Sequence, residues 1–186
     1  MKCFLLAITL AGVASGAPAS AILAQKTYAL GIGGGVAIPV GKLRDAQNTG
    51  VSGIVALALG VPELPIGVRF DGIYNRFSRT DLTSLQSGSA SSYGFRIAGI
   101  LGNLIYTFAG TSTKAYLIAG GGLYNTQLDI AGSKSENNPG LNAGAGLTFG
   151  VGPTAGFLEA RYHFIRRAPA HGGVIHFVPI TLGLMF

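Results

Sequence analysis

The chain of 186 residues is 48% hydrophobic and only 11% charged, with 30 Gly, no Trp and a formal net charge of +6. Disordered chains carry few apolar and many charged residues, and an average soluble domain is about one quarter charged with roughly 7% Gly, so this sequence fits neither class. Past the N-terminus charges recur too often for the uncharged apolar runs of about 18 residues that helical membrane spans need.

Met1-Lys2 precede an uncharged stretch from Cys3 to Ala24 with an apolar centre, Phe4 to Leu10, and small residues around Ala17, Ala19 and Ala21. A charged start, an apolar middle and an A-x-A site make up a secretory signal peptide. It is expected to span residues 1–21, with cleavage after Ala21 or, alternatively, after Ala24. Gly12, Ser15, Gly16 and Pro18 weaken the competing reading as a permanent anchor. Cleavage removes Cys3, the only cysteine, and leaves no disulfide, thiolate ligand or cysteine nucleophile to expect.

Residues 28–186 read as one β domain in which apolar residues alternate between Gly, Pro, Ser, Asn and Thr clusters. Tyr28, Leu30, Ile32, Val36 and Ile38 share one face of strand one, with small residues on the other. Val51 to Leu59 is strand two, closed by a turn holding Pro62 and Pro65. In strand three Ile66, Val68, Phe70 and Tyr74 oppose Arg69, Asp71 and Asn75, and Ser78 to Ser91 follows as a long polar connection. Strand four, Tyr93 to Phe108, is ambiguous in parity, and a bulge near Gly102 would reconcile its two halves. Strand five, Tyr116 to Tyr124, is small or apolar on both faces. Strand six sets Leu141, Ala143, Ala145, Leu147 and Phe149 against Asn142 and glycines. Strand seven sets Leu158, Ala160, Tyr162 and Phe164 against Glu159, Arg161 and His163, and strand eight aligns Val178, Ile180, Leu182, Leu184 and Phe186. Long connections follow odd strands and short ones follow even strands.

An even number of antiparallel strands with short turns at one end and loops at the other is expected of an outer-membrane barrel, apolar outside and polar within. Aromatics toward strand ends (Tyr28, Tyr74, Tyr106, Phe108, Phe149, Phe164, Phe186) fit interfacial girdles. About eight strands enclose a lumen that side chains fill. Arg69, Asp71, Glu159 and Arg161 are therefore expected to pair inside it, joined by Arg96 and His163, as a structural plug. The basic residues Lys42, Arg44, Arg79, Lys134, Arg166 and Arg167 fall in the proposed outer loops, where lipopolysaccharide phosphates are expected partners. Ordinary solvated loops are the equal alternative.

Other chemistry is weakly signalled. The glycines from Gly31 to Gly41 lack the spacing and the helix of a phosphate loop, and the stretch from Gly150 to Ala155 matches a dinucleotide pattern only across a turn. His163, His171 and His176 are too scattered for a metal site. No G-x-S-x-G elbow occurs, and the dispersed basic residues do not suggest nucleic acid. No catalytic, cofactor or metal residues are assigned.

The chain resembles the small outer-membrane β-barrel proteins of the OmpA/OmpX type from Tyr28 to Phe186, chiefly through the alternating C-terminal strand from His176 to the terminal Phe186, which looks like the signal read by the barrel assembly machinery. Pro179 departs from an ideal strand. The resemblance implies an all-β fold, an eight-stranded antiparallel up-and-down transmembrane barrel, and no single activity. The expected function is a non-catalytic, monomeric outer-membrane protein acting in envelope structure or through its loops. The alternatives are a lipid A-modifying barrel enzyme and a small channel or adhesin.

Overall fold

The computed structural model describes residues 28–61, 64–80, 92–129, 133–167 and 173–186. The expected signal peptide, Pro62, Glu63, His171 and most of the connection from Ser78 to Ser91 lie outside them. The described chain forms β1 (Tyr28–Val40), α1 (Lys42–Ala46), β2 (Gly50–Gly60), β3 (Ile66–Thr80), β4 (Ser92–Thr107), β5 (Thr113–Asp129), β6 (Glu136–Val151), β7 (Thr154–Arg166) and β8 (Val174–Met185). Each strand pairs antiparallel with its neighbours in sequence, and β1 pairs with β8, so the sheet closes into an eight-stranded up-and-down barrel without edges. The seam runs past the strand end: Phe186 donates its N–H to the Leu30 carbonyl at 2.7 Å and accepts that of Leu30 at 3.1 Å.

The connections alternate as the sequence suggests. Residues 61–65, 108–112 and 152–153 join strands at one end, while 41–49, 81–91, 130–135 and 167–173 do so at the other. The tightest turn has Gly152 at φ +55° before Pro153, a left-handed position where a side chain would be strained. Strands reach further toward the loop end than the sequence pattern indicates. Ser78 and Arg79 belong to β3, and Glu136, Asn137 and Asn138 belong to β6, because polar residues on an outward rim are as compatible with a ladder as with a loop. Lys42 and Arg44 sit on α1, whose Leu43 packs against buried lumen residues.

Alternation sorts the side chains. Leu30, Ile32, Val55, Phe70, Leu117, Leu141, Leu158 and Leu182 face outward and are exposed. The expected bulge in β4 is absent: its register runs unbroken against β3 from Ile66↔Tyr106 to Thr80↔Ser92, and against β5 from Gly94↔Asp129 to Thr107↔Tyr116. A single parity holds, with Ile100 (78% exposed) and Leu104 outside and Phe95, Ile97 and Leu101 buried inside. The ambiguity arises because this strand is apolar on both faces.

Pro179 is accommodated at a gap. β7 and β8 pair Ala160 with Ile180 and His163 with Phe177, with no pairs between them, where Pro179 lacks an N–H to donate. The register is the same on both sides of the gap.

Candidate functional site: a sealed lumen and an apolar wall

Two elements, β3 and β7, each contribute an acid and a base two residues apart, the spacing that keeps both on one face of a strand. Across the lumen they close a ring of alternating charge. Arg69 Nε lies 2.9 Å from Asp71 Oδ1 and Arg69 Nη2 lies 2.7 Å from Glu159 Oε2; Arg161 Nη1 is 2.8 Å from Asp71 Oδ2 and its Nε is 2.7 Å from Glu159 Oε1. All four side chains are at most 3% exposed. Burying charge is tolerable only when it is paired and hydrogen-bonded, and further bonds meet that need. Tyr116 donates to Glu159 Oε2 at 2.8 Å, Asn103 Nδ2 to Asp71 Oδ2 at 2.8 Å, and Asn142 Nδ2 to Asn103 Oδ1 at 2.9 Å. Glycine makes room: a Cβ on Gly144 would stand 2.6 Å from Arg161 Cγ.

Of the two further members expected, His163 is in the lumen but outside the ring. Its Nδ1 shares a 2.9 Å hydrogen bond with the Tyr124 hydroxyl, and its ring stacks on Phe177 at 4.7 Å. Arg96 is not in the lumen: it has the outward parity of Ala98 and Ile100, and its Nη2 donates to Gln127 Oε1 at 2.7 Å. Asn103 and Tyr116 are ring partners that the alternation pattern did not single out.

Toward the loop end the lumen changes character. Phe77, Phe95, Ile97, Ile165, Ile175 and Phe177 are buried there under Leu43 of α1, with Phe77 and Phe177 edge to face at 5.9 Å. The expectation that ion pairs plug the interior is corrected here by this apolar layer, which fills the lumen's loop end. Phe77 and Ile175 fall between the strand patterns and the connections read from the sequence, and apolar residues on both faces of β4 disguise Phe95 and Ile97.

Outside, the wall is apolar between two aromatic zones. Tyr106 and Phe108 meet at 5.1 Å near the turn end; near the loop end Tyr162 Oη lies 2.6 Å from His176 Nδ1, beside Phe164. Tyr74 faces outward from within β3, away from the strand end where the sequence pattern put it. Ile180, Leu182, Leu184 and Phe186 share the outward face of the last strand with the less exposed Val178. Of the loop cations, Lys42, Arg44, Lys134 and Arg166 are exposed, whereas Arg167 is tied to Glu136 at 3.0 Å; Arg79 ends β3 near Thr80. Among the described residues no set of three His, Asp or Glu gathers as metal ligands, and no helix is long and apolar enough to cross a membrane.

No protein-family model and no curated protein sequence matches this chain. Solved structures do match in fold. Neisserial surface protein A is similar over 86% of this chain and 96% of its own, at 20% identity and a TM-score of 0.63. Ail, the attachment invasion locus protein of Yersinia pestis, is similar over 86% and 97%, at 16% identity and a TM-score of 0.51. A major outer membrane protein from Thermus thermophilus is similar over 86% and 97%, at 12% identity and a TM-score of 0.50. The chain thus has the fold of small eight-stranded outer-membrane barrels.

Proposed function

We propose that the protein resides in a bacterial outer membrane as a monomeric, non-catalytic barrel, and that it works through its outer surface. One observation carries this reading: the arrangement is inside out, with four fully buried charges in the lumen and the large aliphatic side chains exposed around the wall. A water-soluble barrel would reverse the two faces, and only lipid makes such a wall favourable. The lumen, filled by the charge ring and the aromatic layer above it, serves as a plug.

In this setting the longer connections face the outside of the cell, where Lys42, Arg44, Lys134 and Arg166 meet the phosphates of lipopolysaccharide. The alternating C-terminal strand ending in Phe186 serves as the recognition signal for barrel assembly, and residues 1–21 as the export signal. Polyanionic glycans are a second class of loop ligand, supported by the same exposed cations; a related fold, Ail of Yersinia pestis, is solved with a heparin analogue, sucrose octasulfate.

The test compares matched cells with and without the gene. The expected result is a heat-shifted band in the outer-membrane fraction and a lipid A mass spectrum unchanged by the deletion. A lost or added acyl chain would overturn the non-catalytic reading, and recovery in the soluble fraction would overturn the membrane one.

A further inference from the structure

At the loop end β1 and β2 part. Their ladder stops at Ala37↔Gly50, while β1 goes on pairing with β8 as far as Val40↔His176. The short helix α1 follows at this opening. Its Leu43 packs onto the apolar layer of the lumen, and successive helical residues are turned by about 100°, so Arg44 is carried to another side of α1 and stands exposed. The opening holds a cavity of about 530 Å³ whose lining includes Ile38 and Val40 of β1 and, from α1 and the chain leading to β2, Arg44, Gln47, Asn48 and Thr49. The neighbouring carboxylate, Asp45, is not part of that lining.

Three features of the cavity specify a ligand. The Arg44 guanidinium has no hydrogen-bond or ion-pair partner among the described residues, and its fork of donors matches phosphate oxygens. Gln47 is only 8% exposed, and its buried Oε1 accepts no hydrogen bond. An acceptor left unpaired costs about 1–3 kcal/mol, which a hydroxyl carried in by a ligand recovers. The third feature is position. Ile38 and Val40 have the outward parity of the wall, and His176, the partner of Val40, belongs to the aromatic zone with Tyr162 and Phe164. Such zones lie where acyl chains give way to head groups, so the cavity opens at head-group level with aliphatic wall beneath it. A smaller cavity that Gln47 also borders, at the lumen mouth, is lined mainly by apolar side chains; the polar ligand fits the larger one.

We propose that this cavity seats the head of an anionic lipid that carries a phosphate and a free hydroxyl. Arg44 holds the phosphate, the hydroxyl donates to Gln47 Oε1, Asn48 and Thr49 meet the remaining oxygens, and the first acyl carbons rest on Ile38 and Val40. The phosphorylated sugar of lipid A and the phosphoglycerol of a glycerophospholipid share this chemistry. The seat rests on the outer-membrane reading and gives one of the loop cations a defined, saturable ligand.

Full-length barrel, refolded in detergent, is tested by native mass spectrometry with three anionic lipids: bis-phosphorylated lipid A, phosphatidylglycerol, and phosphatidylmethanol, whose head keeps the charge and lacks the hydroxyl. Wild type is expected to hold one molecule of lipid A or phosphatidylglycerol at concentrations where phosphatidylmethanol does not bind, and the tighter of the first two identifies the source of the head. R44Q should lose at least about tenfold in affinity for that lipid and Q47L about three- to tenfold, whereas K134Q, in another loop, should bind as wild type. Undiminished binding in R44Q or in Q47L, an equal loss in K134Q, or equal occupancy by phosphatidylmethanol would each overturn the proposal. Tighter Arg44-dependent binding of soluble sucrose octasulfate than of either lipid would overturn it in favour of a glycan. Flotation of the same proteins with liposomes separates the two levels. Insertion with unaltered lipid binding in the variants defeats only the seat, while failure of wild type to insert defeats the membrane reading and the seat together.

Discussion

The lumen contains two regions that solve the same filling problem with opposite chemistry. Midway, Arg69, Asp71, Glu159 and Arg161 neutralise one another in a closed ring; toward the loops, Phe77, Phe95, Ile97, Ile165, Ile175 and Phe177 pack as an ordinary core. His163 stands at the junction, bonded to Tyr124 on one side and stacked on Phe177 on the other. The ring demands complete pairing and tolerates no vacancy, whereas the apolar layer tolerates exchange of one hydrophobe for another of similar volume. A barrel that cannot use lipid to bury its inner face needs both: directional contacts to hold strands at a defined separation, and dispersion to fill the rest.

The sharpest way to break this contrast is Glu159→Ala, which leaves two guanidiniums and the Tyr116 hydroxyl without their shared acceptor. It should lower stability by about 3–5 kcal/mol, read as a fall in the urea midpoint of the refolded barrel. Phe177→Ala should cost about 3–4 kcal/mol through the cavity it leaves, whereas Phe177→Leu should cost clearly less in the same assay, a leniency that no single-residue change in the ring should show. A double-mutant cycle on Asp71→Asn and Arg161→Gln should return a coupling of about 1–3 kcal/mol, while the same cycle on Phe77→Leu and Ile165→Val should be nearly additive. Smallest of all, Arg167→Ala removes a partly buried pair with Glu136 at the rim and should change stability by less than about 1 kcal/mol.

How far these regions could be read from sequence follows from their chemistry. Arg69 with Asp71 and Glu159 with Arg161 stand two apart in strands whose other face is aliphatic, so parity alone placed all four inside. Asn142 was legible on the inner face of its strand, but its bond to Asn103 was not, since Asn103 is a lone amide in the apolar run from Ile100 to Ile105. The apolar layer was hidden for the converse reason. Phe95, Ile97 and Leu101 point inward and Ile100 and Leu104 outward, so hydrophobicity carries no parity there and only the register decides. Arg96 is expected in the lumen with the other charges, yet near the loop end the outward rim is polar too, and Arg96 faces out beside Arg76. The cavity beside α1 depends on where the β1–β2 ladder ends, and that point follows from the register.

The measurement that tests the account most directly uses single cysteines introduced into residues 28–186, which hold none of their own, spin-labelled after reconstitution into bilayers. Labels at Val55, Ile100, Leu141 and Leu182 on the wall are expected to be relaxed by oxygen and shielded from a water-soluble nickel chelate. Labels at Ile54, Leu101 and Thr181 on the inner face are expected to be shielded from both. Free access of the chelate to the wall positions would contradict a membrane barrel, and free access to the inner positions would contradict a sealed lumen.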